Sequence, residues 1–86
     1  RVIDKCFIGG SGGKLGETFE YLDRNLREEG ILCATFITLD NFQRFMDLLR
    51  LHRYKSIESH LVQAAEIGQK GMLKAQNPIF IAKGVK

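Results

Sequence analysis

Apolar and polar positions divide the chain into blocks of different period. Lys5-Cys6-Phe7-Ile8 is a short run without alternation, and it stops at Gly9-Gly10-Ser11-Gly12-Gly13. Such a run before a glycine-rich turn reads as a strand buried on both faces, as in parallel sheets. Leu15, Phe19, Leu22 and Leu26 then recur at helical steps and form one apolar stripe, with charged residues opposite. Gly30 stands where that helix is expected to stop. Ile31-Leu32-Cys33-Ala34-Thr35-Phe36 is a second continuous apolar strand. Thr38 suits the N-cap of a second helix, whose stripe is Leu39, Phe42, Phe45, Met46 and Leu49. Its phenylalanines read as core, and His52 and Arg53 fall in its last turn, where cations suit the helix dipole. From Ser56 to Glu66 a partial alternation predicts a half-exposed edge strand. A glycine-containing stretch, Ile67 to Asn77, leads to Pro78 and the compact strand Ile79-Phe80-Ile81-Ala82.

The predicted fold class is α/β with the order β-α-β-α-β-β. The first two strands are joined by a helix and should be parallel through a right-handed crossover. No helix separates the last two, so they should pair antiparallel. Inserting the final strand between the second and third gives the strand order 1-2-4-3.

Composition narrows the function classes. With 86 residues, 44% apolar and 27% charged, the chain has the size of one small domain. One Pro and nine Gly exclude collagen-like and proline-rich chains, and two Cys are too few for a disulfide scaffold. Cys6 and Cys33 read as buried free thiols in a reducing cytoplasm. No apolar run is long enough to span a membrane, and no stretch resembles a signal peptide. The net charge of +3 comes from 13 basic and 10 acidic residues of mixed order. No basic stripe with interleaved aromatics suggests nucleic acid; an anionic small molecule suits the bias equally well. His52 and His60 have no metal-ligand spacing, so no metal is expected. The chain opens on Arg1 and reads like something cut from a longer protein.

The glycine loop carries the most local information. Glycines at the carboxyl end of a parallel strand let the backbone approach a ligand closely, and helix-start amides can hold an anion. The loop is not a phosphate-binding P-loop: with Gly13-Lys14 fixed, Ile8 and Leu15 occupy required glycine and hydroxyl positions. The dinucleotide fingerprint fails as well, because Leu15 stands where its last glycine is needed. A tight turn with close helix packing is the plainer reading of the same residues.

Ile8-Gly9-Gly10-Ser11-Gly12-Gly13, a helix, and Leu32-Cys33-Ala34-Thr35-Phe36-Ile37-Thr38-Leu39 together resemble one family. It is the cobalamin-pathway precorrin methyltransferases, the decarboxylating enzymes that act on precorrin-6Y, and the likeness is to their carboxyl-terminal half. Gly71-Met72-Leu73-Lys74-Ala75-Gln76-Asn77-Pro78-Ile79-Phe80-Ile81 extends the resemblance almost to the end of the chain. It implies the last four strands of a Rossmann-like methyltransferase sheet, with residues 1–86 forming a single partial domain. It implies S-adenosylmethionine as cofactor, with its main binding loop in an amino-terminal half outside these residues. It also implies Gly9 and Gly10 as donor-binding positions, and Gly9, Gly10, Ser11, Gly12, Gly13 and Thr38 as substrate-binding ones. Thr38 reads equally as a plain helix cap, and no catalytic residue is assigned. The implied substrate is a precorrin tetrapyrrole with many carboxylates, the implied assembly a homo-oligomer. Two other readings stand beside this one. A stand-alone α/β binding or oligomerisation module would need no catalysis. An amino-methyltransferase is suggested by Asn77-Pro78-Ile79-Phe80, but that motif belongs after the strand where Gly-Gly-Ser-Gly-Gly lies.

Overall fold

The computed structural model describes residues 3–9, 14–62, 65–67, 73–75 and 78–86. Its elements are β1 (Ile3–Gly9), α1 (Leu15–Asn25), β2 (Leu26–Phe36), α2 (Leu39–Leu51), β3 (Lys55–Val62), β4 (Ala65–Ile67), β5 (Leu73–Ala75) and β6 (Ile79–Val85). Four strands form the main sheet in the order β1-β2-β6-β3. β1 is parallel to β2, with Cys6 opposite Leu32 and Ile8 opposite Ala34. β6 runs antiparallel to both neighbours, with Ala82 between Ala34 and Ser59. This is the expected 1-2-4-3 arrangement, β6 being the strand counted fourth from the sequence.

The stretch between β3 and β6 differs from expectation. The edge strand ends at Val62 rather than reaching Glu66, and Ala65–Ile67 pairs antiparallel with Leu73–Ala75 as a separate two-stranded sheet. Three-residue strands carry too little periodicity to stand out in a sequence. The final strand also continues past Ala82 to Val85.

Both helices pack on one face of the main sheet. Ile8, Leu32, Ala34, Phe36 and Ala82 point to that face and meet Leu15 and Phe19 of α1 and Phe45 and Leu49 of α2 in one core. Phe19 meets Phe45 edge-on, with ring centroids 6.0 Å apart, and Phe45 lies against Phe36 at 5.4 Å. Such contacts add to the area the rings bury, and they confirm the α2 phenylalanines as core. Phe42 packs on Phe80 at 5.2 Å, at the edge of that core. Leu39, counted in the α2 stripe, is instead 52% exposed at the helix start. His52 follows the helix as its C-cap, and Arg53 turns away with φ 61°.

The opposite face corrects a second expectation. β1 and β2 are not buried on both sides: Phe7 is 64% exposed, and Ile31, Cys33 and Thr35 are half-buried. A continuous apolar run cannot tell one covered face from two, because it lacks the alternation that marks the difference. The two cysteines are accordingly free and partly exposed rather than buried.

The first helix ends earlier than its stripe suggests. Leu26 leaves the helix with φ −82° and ψ 130° and begins β2. It remains buried, so the stripe predicts its burial but not its conformation. Gly30 is not a helix stop but a buried strand residue, whose carbonyl accepts from the Lys86 amide at 2.8 Å. The left-handed residue is its neighbour Glu29, with φ 68°. There β2 carries extra residues relative to β1: Ile3 is opposite Leu26, yet Lys5 is opposite Ile31.

Candidate functional site

Each βα junction brings a strand end and a helix start to the same edge of the sheet. β1 and β2 are parallel, and Gly9 lies beside Thr35 at their carboxyl ends. α1 and α2 both begin at this edge, so two positive helix ends face it. Gly9 is exposed, and a Cβ placed on it would come within 3.2 Å of the Phe7 ring. The position thus favours a bare backbone at the rim. Four residues later the chain enters α1, where the Lys14 carbonyl accepts from the Thr18 amide at 3.0 Å. Gly10, Ser11, Gly12 and Gly13 lie outside the described residues.

Thr38 stands at the end of the second strand, as its position in the sequence suggests. Its hydroxyl accepts from the Asn41 amide at 3.4 Å, so it caps α2. It also borders a polar hollow of about 470 Å³ with Asp40, Asn41, Gln43, Arg44 and Asp47. All but Thr38 belong to α2, which places the hollow along that helix and not over the β1–α1 turn. A narrower cleft of about 210 Å³ runs between the helices, lined by Gly16, Arg44, Asp47, Leu48 and Leu51. The structure therefore brings Gly9 and Thr38 to one edge, without a closed pocket around them among the described residues.

A polar cluster at the other end of the sheet is not legible in the sequence. Asp23, which reads as part of a solvated helix face, accepts from the Tyr54 hydroxyl at 2.7 Å. His52 Nδ1 lies 3.4 Å from its other carboxylate oxygen, and Lys86 Nζ lies 3.9 Å away. The Lys86 ammonium also donates to the carbonyls of Asp23 and Leu26, the latter at 2.8 Å. Burial and the Asp23 carboxylate push the Tyr54 phenol well above its ordinary range. The cluster ties the C-terminal ends of both helices to β3 and β6, opposite the rim that holds Gly9. It is a structural bracket rather than part of the candidate site. Its members span residues 23 to 86, so no local pattern could reveal it.

Among the described residues, no group of three or more His, Cys, Asp or Glu side chains is placed to hold a metal ion. No helix among them is long and apolar enough to cross a membrane.

A β-α-β-α order closed by an antiparallel strand, set between the second and third strands of a mixed sheet, is a Rossmann-like methyltransferase arrangement. The solved structures narrow this further. A precorrin-6Y C5,15-methyltransferase from Geobacter metallireducens is 34% identical, with a TM-score of 0.85, over 96% of this chain and 44% of that protein. A precorrin-8W decarboxylase from Methanobacterium thermoautotrophicum is 26% identical, with a TM-score of 0.75, over 95% of this chain and 45% of that one. The methyltransferase domain from Corynebacterium diphtheriae, at 23% identity and a TM-score of 0.73, shares the fold. The similarity is to the carboxyl-terminal half of these proteins, as the sequence motifs suggest. The chain spans less than half the length of the first two. No protein-family model matches the chain, and no curated protein sequence does.

Proposed function

We propose that residues 1–86 form the carboxyl-terminal half of an S-adenosylmethionine-dependent methyltransferase that acts on a precorrin in cobalamin biosynthesis, in the cytoplasm. One observation carries this reading: 34% identity to the Geobacter precorrin-6Y methyltransferase over 96% of the chain, in the same fold. The glycine loop then occupies the place where open α/β sheets bind ligands, outside the carboxyl ends of the strands.

The donor supplies an electrophilic methyl group when bound. Gly9 fits a place beside it, since the rim position favours bare backbone, and Gly10 continues that approach. The substrate's carboxylates would meet the backbone amides of Gly9 to Gly13 and the positive start of α1. Ser11 adds a hydrogen-bond donor and Lys14 a charge. Thr38 holds the start of α2 in place at the same edge. Methyl transfer to carbon depends on alignment of acceptor and donor, so positioning by these groups supplies much of the rate. The principal donor loop belongs to the amino-terminal half, so this half alone neither transfers methyl groups nor binds the donor tightly.

Titration calorimetry with S-adenosylhomocysteine tests the division of labour. The 86-residue chain gives no binding at micromolar concentration, and the same chain fused behind the amino-terminal half of the Geobacter protein binds. Micromolar binding by the 86-residue chain alone contradicts the division. A folded fusion that binds no donor contradicts the functional reading itself. The second reading, an oligomerisation or binding module, is favoured by the open sheet face and the unpaired edge of β1. A glycine-rich loop after a strand, encoded upstream of Arg1, decides for the enzyme.

A further inference from the structure

The sheet face turned away from the helices has a pattern of its own. Across β1, β2 and β6, Phe7, Cys33 and Lys83 stand side by side in one row. Lys5, Ile31 and Val85 form the next, and Gly9, Thr35 and Ile81 a third. The centre of this face is thus apolar, with Lys5 and Lys83 at its borders. Lys83 is answered by Glu58 of β3 at 3.5 Å, while exposed Lys5 lies on the β1 side. A shallow hollow of about 130 Å³ opens here, lined by Cys33, Glu58, His60, Ile81 and Lys83. Parallel strands occur almost only in sheets covered on both faces, because their connections place helices there. In this chain both described helices pack on the other face.

We infer that an amphipathic helix from the amino-terminal half of the same domain packs across this face, over Phe7, Ile31, Cys33 and Ile81. The inference rests on the proposed half-domain reading and deepens it by naming the surface where the halves meet. Length supports this occupant: more than half of the Geobacter protein lies outside the match, which already accounts for 96% of this chain. Charge supports it over a second copy. Two copies stacked face to face would set the lysines of one border near those of the other, whereas a helix with acidic positions along its flank complements Lys5.

The two cysteines report on the face directly. Cys33 lies at its centre, whereas Cys6 points to the helix side, where burial pushes its thiol pKa up. N-ethylmaleimide pulse labelling with mass spectrometry follows each residue. In the 86-residue chain Cys33 reacts faster than Cys6. In the fusion with the Geobacter amino-terminal half, Cys33 is slowed at least about tenfold, as expected when labelling requires opening of a packed surface. Equal Cys33 rates in the two proteins overturn the inference. So does protection that grows with concentration in the 86-residue chain, which would assign the face to a second copy. If the fusion does not fold, the Geobacter protein with a cysteine at the position aligned with Cys33 gives the same readout: protection supports the inference and free reaction overturns it. Cys33 protection in a fusion that binds no donor leaves the inference standing while the functional reading falls.

Discussion

Gly30 shows how a single residue's role depends on what lies around it. A Cβ there would sit 2.8 Å from the Arg27 carbonyl oxygen and 2.6 Å from the Leu26 side chain. Backbone cannot yield as a side-chain tip can, so Gly30→Ala should cost about 1–3 kcal/mol, the usual range for overpacking. Urea unfolding checks this, and an unchanged midpoint would refute it. Tyr54 carries a second residue-scale expectation. Its phenol is buried against Asp23, and its folded pKa is raised above the ordinary value of about 10. The neutral form is therefore favoured by folding. The stability it contributes is complete at neutral pH and is lost as pH rises above the unfolded value. In a spectroscopic alkaline titration, the Tyr54 phenolate should appear together with loss of helical circular dichroism. Tyr54→Phe should abolish that step; a Tyr54 that ionises reversibly in the folded state would contradict it.

At the scale of elements, the two helices begin and end for different reasons. α2 begins by a local rule: Thr38 is extended, and its hydroxyl takes the Asn41 amide. Thr38→Ala should destabilise the chain by about 1 kcal/mol, the usual cost of losing a cap, while Thr38→Ser should retain most of the stability. Thermal melting separates the two, and equal losses would argue that the methyl group matters rather than the cap. The end of α1 has a distant cause. Lys86, at the end of the chain, reaches back to the last carbonyls of the helix, a known way of satisfying them. The apolar stripe shows that Leu26 is buried; it cannot show that the backbone has already turned into β2.

For the whole molecule, the two sheet edges differ in protection. β3 carries Lys55, Glu58 and His60, and a register shift interrupts its start. Charges and irregularities of this kind discourage pairing with another chain. β1 is regular from Lys5 to Gly9 and presents Cys6, Phe7 and Ile8. The 86-residue chain should therefore self-associate along β1 as concentration rises. Light scattering tests this: a monodisperse monomer at high concentration would contradict it, and Phe7→Lys should weaken the association. Edge pairing leaves the open face uncovered, so Cys33 remains reactive in such an assembly.

The sequence by itself determined the βαβαββ order, the strand order through connection rules, the α2 cap and the apolar stripes of both helices. These follow from short-range periodicity and from the limits on how a chain can join neighbouring strands. It also located the glycine loop, of which the described structure retains the flanks at Gly9 and Lys14. Tertiary structure decided which face of β1 and β2 stays open, because a continuous apolar run carries no alternation. It decided the end of α1, the strand role of Gly30 and the bracket around Asp23, because each depends on partners brought together from distant parts of the chain. Lys86 makes the reason concrete: nothing near residue 23 in the sequence anticipates a contact made by the last residue.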